Sequence, residues 1–229
     1  MGRHTLQGNP PIDVTLRHSA RAKRLSLRVS RLDGRVTLTL PKRAAEREGI
    51  AFLRSKEHWL RSHLRDLRPV QPVAAGQTVL FQGVPVEIVA AEVKAAQIGQ
   101  GFIRVRAVQP VGPQIKALFR HQARDALALA SDRYAAQLGR SYSRLTIRDT
   151  RSRWGSCSAQ GALMYSWRLI MAPPAVLDYV AAHEVAHLVE MNHQPEFWSV
   201  VARLCPDYQK KRQWLRDHGD LLHRIRFDD

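Results

Sequence analysis

Cysteine is scarce in this chain of 229 residues: Cys157 and Cys205 are the two present, and neither lies in a CxxC pair. That excludes a disulfide framework as the source of the fold. No run of about 18 apolar residues occurs, so no membrane span is expected. The opening, MGRHTLQGNPPID, lacks the apolar core of a signal peptide, and Leu6 breaks the myristoylation pattern that Gly2 begins. There is no Walker-type glycine loop, internal repeat or low-complexity tract. Together these absences lead us to expect a reduced, cytoplasmic protein.

Acidic residues are also in short supply. Against 36 Lys and Arg stand 20 Asp and Glu, a formal charge of +16. Such a balance favours polyanionic partners, although it speaks about solubility and non-specific binding rather than fold. The excess is uneven: residues 1–112 carry a net +11 and residues 113–229 a net +5. It is densest in RHSARAKRLSLRVSRLDGR (17–35), with seven basic residues and one acid, Asp33. Arg21, Lys23, Arg24 and Arg28 are the candidates there for weak, non-specific contact with nucleic acid, or the stretch simply solvates one face.

Apolar and polar residues alternate in RLSLRVSRLDGRVTLTLP (24–41) around Asp33-Gly34, the signature of a β-hairpin. Spacing of three and four from Arg43 to Leu67 predicts a helix. Short β-like runs follow, with a turn at Gln82-Gly83 and a strand at GFIRVRAV (101–108). QPVGP (109–113) is the best domain boundary, separating a basic, β-rich N-terminal region with one helix (1–112) from a second region (113–229). The second opens with a long helix over 114–138. RLTIRDT and GALMYSWRLIM then read as strands flanking RSRWGSCSAQG, and Pro173-Pro174 opens a further helix.

That helix carries HEVAHLVEMNH (183–193). An accidental His-Glu-x-x-His in a chain of this composition has odds of roughly one or two in a hundred, before the third histidine is required. On a helix, His183 and His187 share a face and can offer two imidazoles to one ion. Asn192 tolerates the left-handed conformation that ends helices, so the chain can turn and bring back His193; Glu190, Glu196 or Asp207 are the alternative third ligands. Three protein ligands leave one position of a tetrahedral zinc for water, whose proton the adjacent Glu184 could take. The apolar context of Val176, Leu177, Val180, Val185, Leu188 and Val189 argues against a merely solvated histidine face. Phe197 and Trp198 are expected to clamp the ligand helix. RSRWGSCS is either a turn packed around Trp154 or a wall of the cleft in which Arg153 holds an anionic or carbonyl group.

RWGSCS (153–158), SWRLIMAPP (166–174), YVAAHEVAHLVEMNHQPEFW (179–198) and CPDYQKKRQWL (205–215) together resemble the YgjP-like metallopeptidase family, which is related to the WLM and SprT-type zinc proteases. The N-terminal RLSLRVSRLDGRVTLTLP and FLRSKEHWLRSHL resemble its usual opening. Ser166, where the family often has Asn, is a departure. The resemblance implies an α+β fold with a compact zincin-like catalytic core, namely a long helix, a small sheet, the motif helix and C-terminal helices. It implies one zinc per chain on His183, His187 and His193, with Glu184 as general base.

The function expected is a zinc-dependent metallopeptidase acting on a peptide or protein. GALMYSWRLIM would align the peptide by β-addition, and Tyr165, Arg168 or Arg153 would steady the developing oxyanion. A metal-dependent nucleotide phosphoanhydride hydrolase, or a nucleic-acid-associated module with a structural zinc, are the alternatives.

Overall fold

Apolar residues at every second position of IDVTLRHS and VTLTLP require strands with one buried face. In the computed structural model, which describes residues 2–30, 34–65 and 71–227, they form the centre of a four-stranded sheet. The chain divides into two units, Met1–Val70 and Gln71–Asp229.

The first unit holds β1 (Gly2–Leu6), β2 (Ile12–Ser19), β3 (Ser26–Val29), β4 (Val36–Pro41), α1 (Glu46–Ser55) and α2 (Glu57–Arg65). Its sheet runs β1-β2-β4-β3, with β2 and β4 parallel and the outer pairs antiparallel. Ile12, Val14, Leu16, Val36, Leu38 and Leu40 turn inward onto Leu53 and Leu60 of the two helices. The expected hairpin is β3-β4; Asp33 of its turn lies outside the described residues, and Gly34 has φ 69°. The single helix expected from Arg43 to Leu67 is two, parted at Lys56, whose φ of −105° and ψ of 9° leave the helical region. The basic stretch 17–35 spans the end of β2, a loop, and β3.

The second unit begins with β5 (Gln71–Pro72), β6 (Thr78–Phe81), β7 (Val84–Ala91), β8 (Gln97–Ile98) and β9 (Phe102–Arg106). Gln82 and Gly83 take φ of 52° and 81°, the positive values that a two-residue hairpin turn demands. Next come α3 (Val111–Gln137), β10 (Arg144–Arg148), β11 (Gly155–Cys157), β12 (Ala162–Ser166), α4 (Pro174–Ala186), α5 (Pro195–Leu204), α6 (Tyr208–His218) and β13 (Ile225–Arg226). Val79, Phe81, Val86, Ile88, Ile103 and Val105 share one core with Ile115 and Phe119 of α3. The boundary expected near 112 therefore falls inside the second unit, because the β6–β9 sheet buries its apolar face in the same core as the long helix. That helix starts at Val111, with Pro113 accommodated in its first turn.

The architecture is α+β, and the part that positions the site is the sheet β10-β12-β11 beside α4. β10 and β12 are parallel; β11 returns antiparallel on the other side of β12. GALMYSWRLIM is a strand only as far as Ser166, then a 3-10 turn over Trp167–Met171 whose residues are all buried. Pro174 at the first turn of α4 needs no N–H partner, as the sequence suggested. No described helix is long and apolar enough to cross a membrane.

Arg168 ties this unit together. Its Nε and Nη2 donate to the Asp149 carboxylate at 2.7 and 3.2 Å, and Nη1 donates to the carbonyls of Leu222 and Ile225 at 2.9 and 3.0 Å. Burial works against the charge on Asp149, but the bonds and charge of Arg168 outweigh it and hold the carboxyl below the usual range. Asp149→Ala should cost about 3 kcal/mol, the low end for removing one partner of a buried pair, since Asp149 keeps 31% side-chain exposure. A folded pKa below the unfolded one means the contribution is complete above about pH 4 and is lost as pH falls through the lower folded value. Urea melts should show the gap between wild type and Asp149→Ala narrowing below about pH 4. An equal gap at pH 7 and pH 3 contradicts this account.

Candidate metal centre

α4 is apolar almost all the way round, and Val176, Leu177, Val180, Ala181, Ala182, Val185 and Ala186 are buried. A helix of that kind belongs in a core, so the few polar groups on it must be matched or used. His183 and Glu184 lie in its last turn, and His187 follows as its C-cap with φ −65° and ψ −12°, still helical enough to share the face of His183. The chain then turns at Asn192. It does so with its side chain, Oδ1 accepting the Gln194 N–H at 3.0 Å, and not with the left-handed backbone expected: Gln82 is the non-glycine residue with positive φ among those described.

This turn brings His193 back. One ligand atom from each of His183, His187 and His193 lies within 4.8 Å of the others, and they are the group among the described residues that could hold a metal ion. Glu190, Glu196 and Asp207 are not in it. His183 and His193 face each other with Nε2 atoms 3.1 Å apart. The Glu190 carbonyl lies 2.9 Å from His187 Nδ1, which fixes that nitrogen as the N–H and leaves the Nε2 lone pair for an ion. His183 Nδ1 is buried without a partner. Burial first, then the two neighbouring imidazoles, lower the His183 pKa to about 3, and burial also lowers that of His187. Neutral imidazoles with converging lone pairs are the donor set a divalent ion takes.

Phe197 is fully buried beneath the three rings, with centroids at 4.9, 4.4 and 4.7 Å from His183, His187 and His193. Trp198 donates its indole N–H to the His193 carbonyl at 3.2 Å and stacks on Tyr208 at 5.4 Å, with the Arg212 guanidinium 4.6 Å from its ring centroid. The clamp expected of these two aromatics is present, and it holds the returning loop as well as the helix.

Glu184 is 6% exposed, and burial raises its pKa to about 8 against the opposing charge of Arg153. It is the carboxylate that lines the cleft, a space of about 450 Å³ walled by the three histidines, Ser152, Arg153, Gly155, Ser156, Cys157 and Met191. A Cβ on Gly155 would lie 2.6 Å from Glu184 Cγ and Oε1, so the carboxyl occupies the space that a side chain there would fill. The motif alone does not reveal Gly155; a glycine inside a strand is the signal that a close approach occurs there. Burial and then Glu184 push the Cys157 thiol up to about 11, which keeps it neutral.

Of the three residues expected to bind substrate, the structure brings Arg153 to the cleft and not the others. Tyr165 is 0% exposed with its hydroxyl 3.0 Å from Ser131 Oγ, and Arg168 is committed to Asp149 and two carbonyls. The strand expected to receive a peptide is also displaced by one. β12 is the middle strand and has no free edge. Of the two edges, β10 and β11, β11 is the one that lines the cleft: Trp154 O accepts from Ser166 N–H at 2.8 Å and Ser158 N–H donates to Ala162 O at 3.0 Å, so the backbone groups of Gly155 and Cys157 point outward. Arg21, Lys23, Arg24 and Arg28 are exposed in the first unit.

A family model described as YgjP-like, metallopeptidase domain, matches residues 23–218. Among solved structures, the metallopeptidase zymogen of Pyrococcus abyssi abylysin is similar at 20% identity with a TM-score of 0.36, over 42% of this chain and 94% of that one. Among curated proteins no match is found.

If the three imidazoles form one site, metal analysis of the purified chain should give about one divalent ion, and His187→Ala should lose nearly all of it. His58→Ala, an exposed histidine of the first unit, serves as control. Full occupancy in His187→Ala would refute the site.

Proposed function

The chain belongs to the YgjP-like metallopeptidase family, and from that premise we propose that it is a zinc-dependent peptidase working at His183, Glu184, His187 and His193. The observation that carries this reading is the convergence of three imidazoles beside one buried carboxyl. The cleft is open and His193 is exposed, which favours a catalytic ion over a closed structural one.

Zinc, when bound, supplies a Lewis acid and a water of lowered pKa. The chain's own part is to manage the proton and the peptide. Glu184 takes the water's proton on its carboxylate and returns it to the leaving amine; a pKa raised towards neutrality suits a group that must do both. The peptide lies along β11, whose outward Gly155 and Cys157 backbone groups pair with it as an added strand. Arg153, the cation lining the cleft, steadies the substrate carbonyl.

The first unit has a different part in the proposal. Cross-strand pairing sets Arg3, Thr15, Thr37 and Arg28 in one row and Arg17, Thr39 and Ser26 in the next, on the face opposite the core. Arg21, Lys23 and Arg24 extend this polar face into the β2–β3 loop. Such a face, basic and without aromatics, suits weak contact with phosphate backbones and not the reading of bases.

Glu184→Gln should keep its metal and fold while peptide hydrolysis falls by about 10²–10⁴-fold, since Gln fills the same space but cannot carry the proton. Undiminished turnover with metal confirmed would assign the base elsewhere. For the first unit, fluorescent DNA should bind at low salt and dissociate as salt rises. Replacing Arg21, Lys23, Arg24 and Arg28 with Glu should abolish that binding while leaving the metal content alone. No binding by the wild type at low salt would end the polyanion proposal.

A further inference from the structure

A second groove, of about 640 Å³, adjoins the metal cleft and shares Ser152, Arg153, Ser156 and Cys157 with it. Its floor is the outward face of the β10-β12-β11 sheet. Parallel pairing puts Thr146 beside Met164, antiparallel pairing puts Ser156 on the other side of Met164, and Arg144 and Arg148 flank Thr146 on β10. The opposite face of the same strands, with Leu145, Ile147, Leu163 and Tyr165, packs into the core. The sheet thus needs only an amphipathic β10 to be stable, and solvated serines or threonines would serve its outer face as well as arginines.

Three arginines line this groove and no carboxylate does. Arg144 and Arg148 are exposed and pair with no carboxylate among the described residues; Arg153 is exposed at the junction with the cleft and acts electrostatically on Glu184. Like charges held along one groove repel each other, and an anion laid between them relieves that repulsion. Four residues along a strand separate Arg144 from Arg148 by about 13 Å, a span that an extended peptide covers in about four residues. The groove opens into the metal cleft at Ser152, Arg153, Ser156 and Cys157, so a substrate segment beyond the stretch paired with β11 reaches β10 by crossing the outer face of β12.

The geometry points to a specificity groove for an acidic segment of the substrate: Arg148 and Arg144, beyond the Arg153 junction, receive Asp or Glu side chains of the peptide whose scissile bond lies at the metal centre. This deepens the peptidase reading and rests on it. Arg144 and Arg148 act on binding and selection, not on the proton at Glu184.

The test is fluorescence anisotropy on the full-length Glu184→Gln chain, with a labelled Asp/Glu-rich peptide and its Asn/Gln counterpart of equal length. The acidic peptide should bind at least about tenfold more tightly at low salt, and the advantage should shrink as salt screens it. Arg144→Ala with Arg148→Ala should remove most of that advantage. Arg203→Ala with Arg216→Ala, which removes the same charge from exposed helix positions, should keep it. Melting curves and metal content establish that both double variants are folded. Equal binding of the two peptides by the parent chain, or the same loss in both double variants, would overturn the inference. So would tripolyphosphate displacing the labelled peptide far below the concentration of unlabelled acidic peptide required, since the groove would then be a phosphate site. Cleavage assays separate the two readings. If the metal-loaded chain with Glu184 intact cleaves acidic and neutral peptides equally well, the groove assignment fails alone; if it cleaves neither, the peptidase reading fails.

Discussion

Burial of α4 is the constraint on which the rest of the second unit depends. The helix is apolar on nearly every side, so it is stable only when surrounded, and α3, α5, α6, β11 and the Trp167–Met171 turn surround it. Asp178 is taken up by Arg133 and Tyr134, and at the C-terminal end three polar groups follow: His183, Glu184 and His187. All three open on one side, into the cleft. The dry surroundings set their chemistry. The same desolvation lowers the pKa of His183 and raises that of Glu184, because each group avoids its charged form. Lone pairs without protons converge next to an acid that can exchange one.

A site of this kind needs walls that do not yield. Phe197 supports the three imidazoles from below, and Trp198, between Tyr208 and Arg212, fastens the loop that returns His193. On the opposite side β11 approaches so closely that only a glycine fits against Glu184. The edge that would align a peptide and the carboxyl that would serve its hydrolysis therefore meet at one residue. Arg168, buried behind the site, belongs to the frame; it joins the end of β10 to the C-terminal segment and never reaches the cleft.

Much of this was legible in the chain. The spacing of His183 and His187, the return through Asn192 to His193, and the aromatic support at Phe197 and Trp198 all follow from short-range rules. So do the hairpin at Gln82-Gly83 and the alternation of β3 and β4. Three features were not legible. The boundary between units lies near 70 and not 112, because loop-like composition at 109–113 says nothing about which sheet α3 buries. Tyr165 and Arg168 look available on paper, yet side-chain direction and the partners Ser131 and Asp149 remove them. The edge strand at the cleft is β11 and not β12, since strand order in a mixed sheet depends on pairings remote in sequence.

By itself the sequence determined the local geometry: a helix whose period puts two imidazoles on one face, a carboxylate beside them, and alternations that split each strand into a wet and a dry side. Periodicity and turn chemistry act over a few residues, so they are written in order along the chain. The tertiary structure alone decided what faces that carboxylate, which strand keeps an open edge, and that Arg144, Arg148 and Arg153 line one groove without an acid among them. Those outcomes depend on burial and strand pairing between distant segments, and neither is a property of any short stretch of residues.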